Sequence, residues 1–161
     1  MVYLMELLNG VTGFYIDLKD KPPKTSLKEF KVHSYEAART YNGELLECND
    51  ADVYSNFLFS ILRISNKEIY VLLNKHYPFV AFASSVNEER IIFVNDKELS
   101  LFFSAFYKIL DAESLNGRLI YTRKKGSVLI KNDNQLNHAE LAQIAYWKPI
   151  TLGEVLYNYW D

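Results

Sequence analysis

The sequence predicts an α+β fold, a largely antiparallel sheet packed by one central amphipathic helix and by C-terminal helices. Residues 57–94 form four apolar segments of β character joined by connections too short for parallel crossovers, which need about a dozen residues or more. Leu99, Phe102, Phe103, Phe106, Ile109 and Leu110 then repeat at the spacing of one helix face, a stripe that needs a sheet to lie on. The chain of 161 residues suits a single domain over 1–161 with a single core, able to bury about two-thirds of its unfolded surface.

Taken in order, residues 2–8 place Leu4, Leu7 and Leu8 on one side of a short helix closed by Asn9 and Gly10, and residues 13–16 read as a brief strand. Pro22 and Pro23 exclude helix and sheet interior alike, so a loop is expected around them. Ser34 is placed to cap a helix over 35–39, stopped by Asn42 and Gly43. The predicted strands are 57–64, 69–73, 79–83 and 90–94, with apolar residues at both parities, as in a sheet covered in part on both faces. Asn95 or Asp96 caps the helix predicted over 97–110, and Glu98 lies at the positive end of its dipole.

A hairpin over 117–122 and 127–130, turning at the basic residues Arg123, Lys124 and Lys125, is predicted to extend the sheet. Asn137 with Glu140 and Thr151 with Glu154 each have capping-box spacing, and Pro149 separates the two helices they begin. In the second of these, Leu152, Val155, Leu156 and Tyr159 form an apolar stripe. Trp147, Leu156, Tyr159 and Trp160 are therefore expected to be largely buried and to hold this end of the chain to the body.

With 18 basic and 20 acidic residues and a net charge of −2, no basic field argues for nucleic acid or an anionic membrane surface. No apolar run approaches the ~20 residues of a membrane span. Met1 to Leu8 lacks a preceding Lys or Arg and carries Glu6, so it does not read as a secretory signal. Cys48 is the single cysteine, which leaves no intrachain disulfide and points to a reducing, cytoplasmic setting. Aromatic residues make up 15%, including 12 tyrosines, too many to place every hydroxyl inside a core; some are expected at the water boundary, where Tyr also suits interfaces.

Chemistry is sparse. His33, His76 and His138 are far apart with no paired-ligand spacing, and neither a metal nor another cofactor is expected. Gly10 and Gly13 lack the lysine and βαβ context of a phosphate loop, and Ser127 sits in a basic hairpin rather than at a nucleophile elbow. Cys48 reads as a small core hydrophobe and His76 as a backbone-bonded or exposed imidazole at a turn. The candidate partner-binding residues are Glu44, Glu47, Asp50 and Asp52, an acidic stretch that is either a solvated face or a surface meeting a basic protein partner. The alternative is a small enzyme or ligand-binding domain with Cys48 or His76 lining a pocket between the sheet and helix 97–110.

Near the end of the sequence, Asn137, Glu140, Leu141, Ile144, Tyr146, Trp147, Lys148, Pro149, Thr151, Gly153, Glu154, Val155, Tyr157, Asn158, Trp160 and Asp161 form a pattern that resembles the endings of small bacterial immunity proteins of polymorphic toxin systems. It covers about 25 residues and carries no catalytic role or binding residue with it. The resemblance implies a cytoplasmic, non-enzymatic α+β protein that neutralises a cognate toxin domain by covering its active site.

Overall fold

The computed structural model describes residues 5–161. Its main sheet is an antiparallel meander of β1 (Glu44–Asp50), β2 (Phe57–Ile64), β3 (Lys67–Asn74), β4 (Phe79–Val86) and β5 (Ile91–Val94), in that spatial order. Ser65 and Asn66 both adopt positive φ, 52° and 63°, the geometry of the tight two-residue turn whose twist matches that of the strands it joins. With helices packed against this sheet, the fold is α+β.

Alternation along the strands sorts the apolar residues onto two faces. Leu58, Leu62, Val71, Leu73, Val80 and Phe82 pack beneath α1 (Leu27–Thr40) and α2 (Lys97–Phe103). Phe57, Leu72, Phe79, Ala81 and Ala83 pack on the other side against Leu7 and Val11, and against α3 (Ala112–Leu115), α4 (His138–Trp147) and α5 (Leu152–Leu156). The expected single core is thus two apolar layers sharing one sheet, because the strands are apolar at both parities.

Helix α1 begins at Leu27, not near residue 35: Ser26, followed three residues on by Glu29, is its N-cap. Ser34 is instead buried mid-helix, its hydroxyl 2.9 Å from that of Ser60, a small residue where helix and sheet approach closely. The helix predicted over 97–110 ends at Phe103. Beyond it, β6 (Lys108–Ile109) pairs in parallel with the start of β4, with Lys108 N donating to Pro78 O and Leu110 N to Val80 O, both at 2.8 Å. Ile109 and Leu110 fit the helical stripe, yet extended backbone sends them into opposite apolar layers.

The hairpin of β7 (Tyr121–Lys124) and β8 (Ser127–Ile130) forms its own two-stranded sheet and does not extend the meander. The residues before it are held by the C-terminal segment: Leu119 N donates to Ile150 O and Leu152 N to Gly117 O, each at 2.9 Å. Of the helix expected over 2–8, residues 2–4 lie outside the described residues. Leu7 bridges to Asn134 instead of turning helically, and residues 13–16 form no strand.

Both capping boxes form, at Asn137 with Glu140 and at Thr151 with Glu154. Helix α5 stops at Leu156, and Tyr157 turns extended, so the predicted stripe breaks before Tyr159. Tyr157 takes the fully buried place, with its hydroxyl donating to Phe79 O at 2.8 Å. The last carbonyls of α5 meet buried amides: Asn74 Nδ2 donates to Leu156 O at 2.8 Å, and Asn56 Nδ2 to Val155 O and Leu156 O at 3.2 and 3.1 Å. Trp160 is 8% exposed and Trp147 37%, so burial of the expected residues holds for Leu156 and Trp160 but not for Trp147; Tyr159 is half-buried.

Candidate functional site

Glu44, Glu47 and Asp50 fall on β1, an edge of the sheet with a bulge between Leu45 and Glu47, and Asp52 lies in the loop that follows. The bulge and the alternation separate the carboxylates onto different faces. Arg63 pairs with Glu44 at 2.9 Å and with Glu68 at 3.3 Å, while Lys75 pairs with Asp50 at 2.7 Å and donates to Asp52 O and Ser55 O. Glu44 and Asp50 are therefore neutralised within the fold, whereas Glu47 and Asp52 have no ion pair among the described residues.

Asp52 faces Tyr159. The Tyr159 phenol is pushed above its ordinary range, first by burial and then by the negative charges of Glu88 and Asp52 and by Tyr70. The half-buried Tyr159 ring meets Phe57 edge-on with centroids 5.3 Å apart. On the same sheet face Phe59 and Tyr70 lie 6.5 Å apart, and Ile61, the cross-strand partner of Tyr70, is half-buried beside them. The layer that covers Phe57 and Leu72 does not fully cover this end of the face.

Next to it runs a groove of about 470 Å³ between the β4–β5 turn with β5 on one side and the C-terminal segment on the other. Phe93, Gly153, Tyr157 and Trp160 line it, with Glu88, Glu89 and Arg90 on one rim and Trp147, Lys148 and Ile150 on the other. Lys148, at φ 55°, occupies the left-handed C-cap position of α4 that glycine or asparagine usually fills, and there the chain turns to build the second wall. Gly153 permits the close approach: a Cβ there would stand 2.5 Å from the Phe93 ring and 2.9 Å from Leu115 O. Trp147 stacks parallel to the buried Trp160, ring centroids 6.4 Å apart at 4°.

Cys48 and His76 line neither this groove nor a common site. Cys48 is buried against α1, and burial pushes its thiol up to about 11 despite Lys31 and a hydrogen bond with Ser34. His76 Nδ1 lies 3.0 Å from Pro23 O and its Nε2 sits over Gly13; burial lowers the imidazole below its ordinary value. Between α2 and the sheet, where a pocket was the alternative expectation, Leu99, Phe103 and Phe82 are buried in contact. Among the described residues, no group of three or more His, Cys, Asp or Glu side chains is placed to hold a metal ion, and no helix is long and apolar enough to cross a membrane.

Comparison with protein-family models, with curated proteins and with solved structures finds no match to this chain.

The acidic stretch was legible in the sequence, but its division into paired and unpaired carboxylates depends on Arg63 and Lys75, which alternation and a turn bring alongside. A usable signal for the groove was present. The uncharged run Ile91 to Val94 contrasts with the charged β1, and both tryptophans lie in the segment that faces it.

Proposed function

We propose that this chain is a non-enzymatic, cytoplasmic protein-binding domain of the immunity kind, whose partner is a toxin-like protein with a basic surface. The observation that carries the reading is the half-buried patch of Phe59, Ile61, Tyr70 and Tyr159 on the incompletely covered end of the sheet face, with Asp52 and Glu88 free of ion pairs among the described residues. Aromatic side chains that hold their conformation at little entropic cost make effective interface anchors, and a rim of unpaired acids steers a basic partner toward them. The resemblance of the C-terminal pattern to immunity proteins agrees with this reading. Catalysis draws little support from the residues once considered for it. A Cys48 thiol with its proton held to about 11 is a poor nucleophile, and His76 is engaged with the backbone.

The test is association kinetics with the C-terminal domain of the protein encoded by the adjacent upstream gene, using the wild type and a Glu47→Gln, Asp52→Asn, Glu88→Gln variant. Electrostatic capture predicts association slowed about tenfold or more at low salt and a flatter salt dependence in the variant. Neutralising the ion-paired Glu44 should change the rate far less. Unchanged kinetics in the triple variant would remove the acidic rim from the account, and absence of binding at micromolar concentration would overturn the reading.

A further inference from the structure

The two edges of the main sheet are built differently. Edge strand β1 carries Glu44, Glu47 and Asp50, a bulge and the Arg63 and Lys75 ion pairs, the devices by which natural sheets block pairing with another chain. Edge strand β5 is Ile91-Ile92-Phe93-Val94, uncharged, bulge-free on its own strand, rich in β-branched residues, and without a fully buried residue. Its backbone pairs with β4 on one side only, and on the other side no hydrogen bond to Ile91–Val94 is present among the described residues. The groove opens along that strand, and its far wall presents the exposed Trp147 and Ile150 on either side of Lys148 and Pro149. At the turn end stand Glu88 and Glu89 beside Arg90, neither acid in an ion pair among the described residues.

We propose that β5 is a docking edge for an extended segment of the protein partner, which adds as a strand alongside Ile91–Val94. Alternate side chains of the segment lie against Trp147, Ile150 and Trp160, and a basic residue at one end meets Glu88 and Glu89. This rests on the reading of the chain as a protein-binding domain and specifies how part of the partner is held. The strand supplies main-chain hydrogen bonds over ~13 Å, and the groove supplies specificity through every second side chain, the division of labour in strand addition. A walled groove suits a single extended segment better than the flat edge of a second folded copy. Glu88 and Glu89 outnumber Arg90 at that end, so the groove favours a segment that is apolar with a flanking Lys or Arg.

The probe is a synthetic acetylated peptide about six residues long, alternating apolar and hydroxyl side chains with a terminal lysine, enough to span β5 with a residue over at each end. It is titrated into the ¹⁵N-labelled chain, beside a second peptide of the same sequence N-methylated at alternate amides. Strand addition predicts saturable amide shifts at Ile91–Val94, a change in tryptophan emission, and binding weakened about tenfold or more by N-methylation, which removes the ladder hydrogen bonds. An Ile92→Lys variant, changed at an exposed position and checked to melt as the wild type does, should lose binding to a similar degree. Absence of saturable shifts at millimolar peptide, or equal binding of the N-methylated peptide, overturns strand addition. If the Ile92→Lys variant still binds the upstream-encoded domain as tightly as the wild type, strand addition also fails, while the protein-binding reading stands. If the wild type does not bind that domain at micromolar concentration, the protein-binding reading itself fails.

Discussion

The Glu140 carboxylate accepts the Thr12 hydroxyl at 2.6 Å, joining the N-terminal loop to the first turn of α4 across most of the chain. Glu140 is also the third residue of a capping box, and its two oxygens take the amides of Gly10 (2.7 Å), Thr12 (3.0 Å) and Asn137 (3.2 Å) as well. A residue whose ordinary task is to satisfy its own helix end therefore holds a distant loop, and it is fully buried while doing so. Every group around it is a donor.

Glu140→Gln turns one oxygen into a donor facing other donors. The expected loss is about 1–3 kcal/mol, measured by urea denaturation at neutral pH, with Thr12→Val losing less because the backbone amides remain.

Burial pushes the Glu140 carboxyl above its ordinary value, against the pull of its four hydrogen bonds. A raised value in the folded state means that folding favours the protonated acid. The associated stability is full below the unfolded carboxylate value of ~4.3 and is lost as pH rises through the higher folded value. Gln at this position does not titrate, so the stability of the wild type relative to Glu140→Gln should fall across that window. A difference that grows as pH rises toward ~4.3 and is level above it would show that the donors outweigh burial.

Asn56 and Asn74 supply what α5 lacks at its C-terminus. Their amides share Leu156 O and Val11 O, so each substitution leaves buried carbonyls short of a partner. Asn56→Ala and Asn74→Ala should each cost about 2–4 kcal/mol, with the double variant costing more than the sum because in either single variant the remaining amide still serves the shared carbonyls. Equilibrium unfolding of the three variants measures that non-additivity; a strictly additive result would mean the two amides act independently.

The meander was legible because strand alternation and short connections are local signals, and both capping boxes were legible from spacing alone. What escaped depended on distant partners. Ser34 carries the signature of a cap, yet the close approach of Ser60 makes it a core position, while the true cap Ser26 lies beyond a lysine-rich stretch with a weak apolar pattern. Ile109 and Leu110 match a helical period, but Pro78 and Val80 offer β4 backbone groups that extended residues satisfy better. Tyr159 was placed by a stripe that Tyr157 interrupts, because the Phe79 carbonyl gives the Tyr157 hydroxyl a buried acceptor. The site suffered most, since both of its walls are assembled from segments far apart in the chain.

Removing residues 151–161 takes away Leu156, Tyr157 and Trp160, and should unfold the chain, since each such deletion costs ~3–5 kcal/mol against a total of about 5–15. A cleaner test keeps the chain intact. In Trp160→Phe the remaining emission comes from the half-exposed Trp147 and should be red-shifted and readily quenched by acrylamide, whereas Trp147→Phe should leave a blue-shifted, protected Trp160. Equal emission from the two variants would contradict the difference in their burial.

Cys48 offers a direct test of whether its thiol has a chemical role. With its titration pushed up to about 11, the folded thiol is roughly 10⁻⁴ ionised at pH 7, about three-hundredfold less than a free cysteine near 8.5. Burial against α1 also denies reagents an approach. A disulfide reagent should therefore modify the native chain at least about a hundredfold more slowly than the urea-unfolded chain, where the thiol returns to its ordinary value. The same shift has a stability consequence of the same sign as that of Glu140. The folded state favours the protonated thiol, so this contribution is complete below ~8.5 and is lost as pH rises toward 11, and Cys48→Ala should lack that part of the alkaline decline. Rapid native modification at neutral pH would mean an exposed thiolate and would return Cys48 to consideration as a nucleophile.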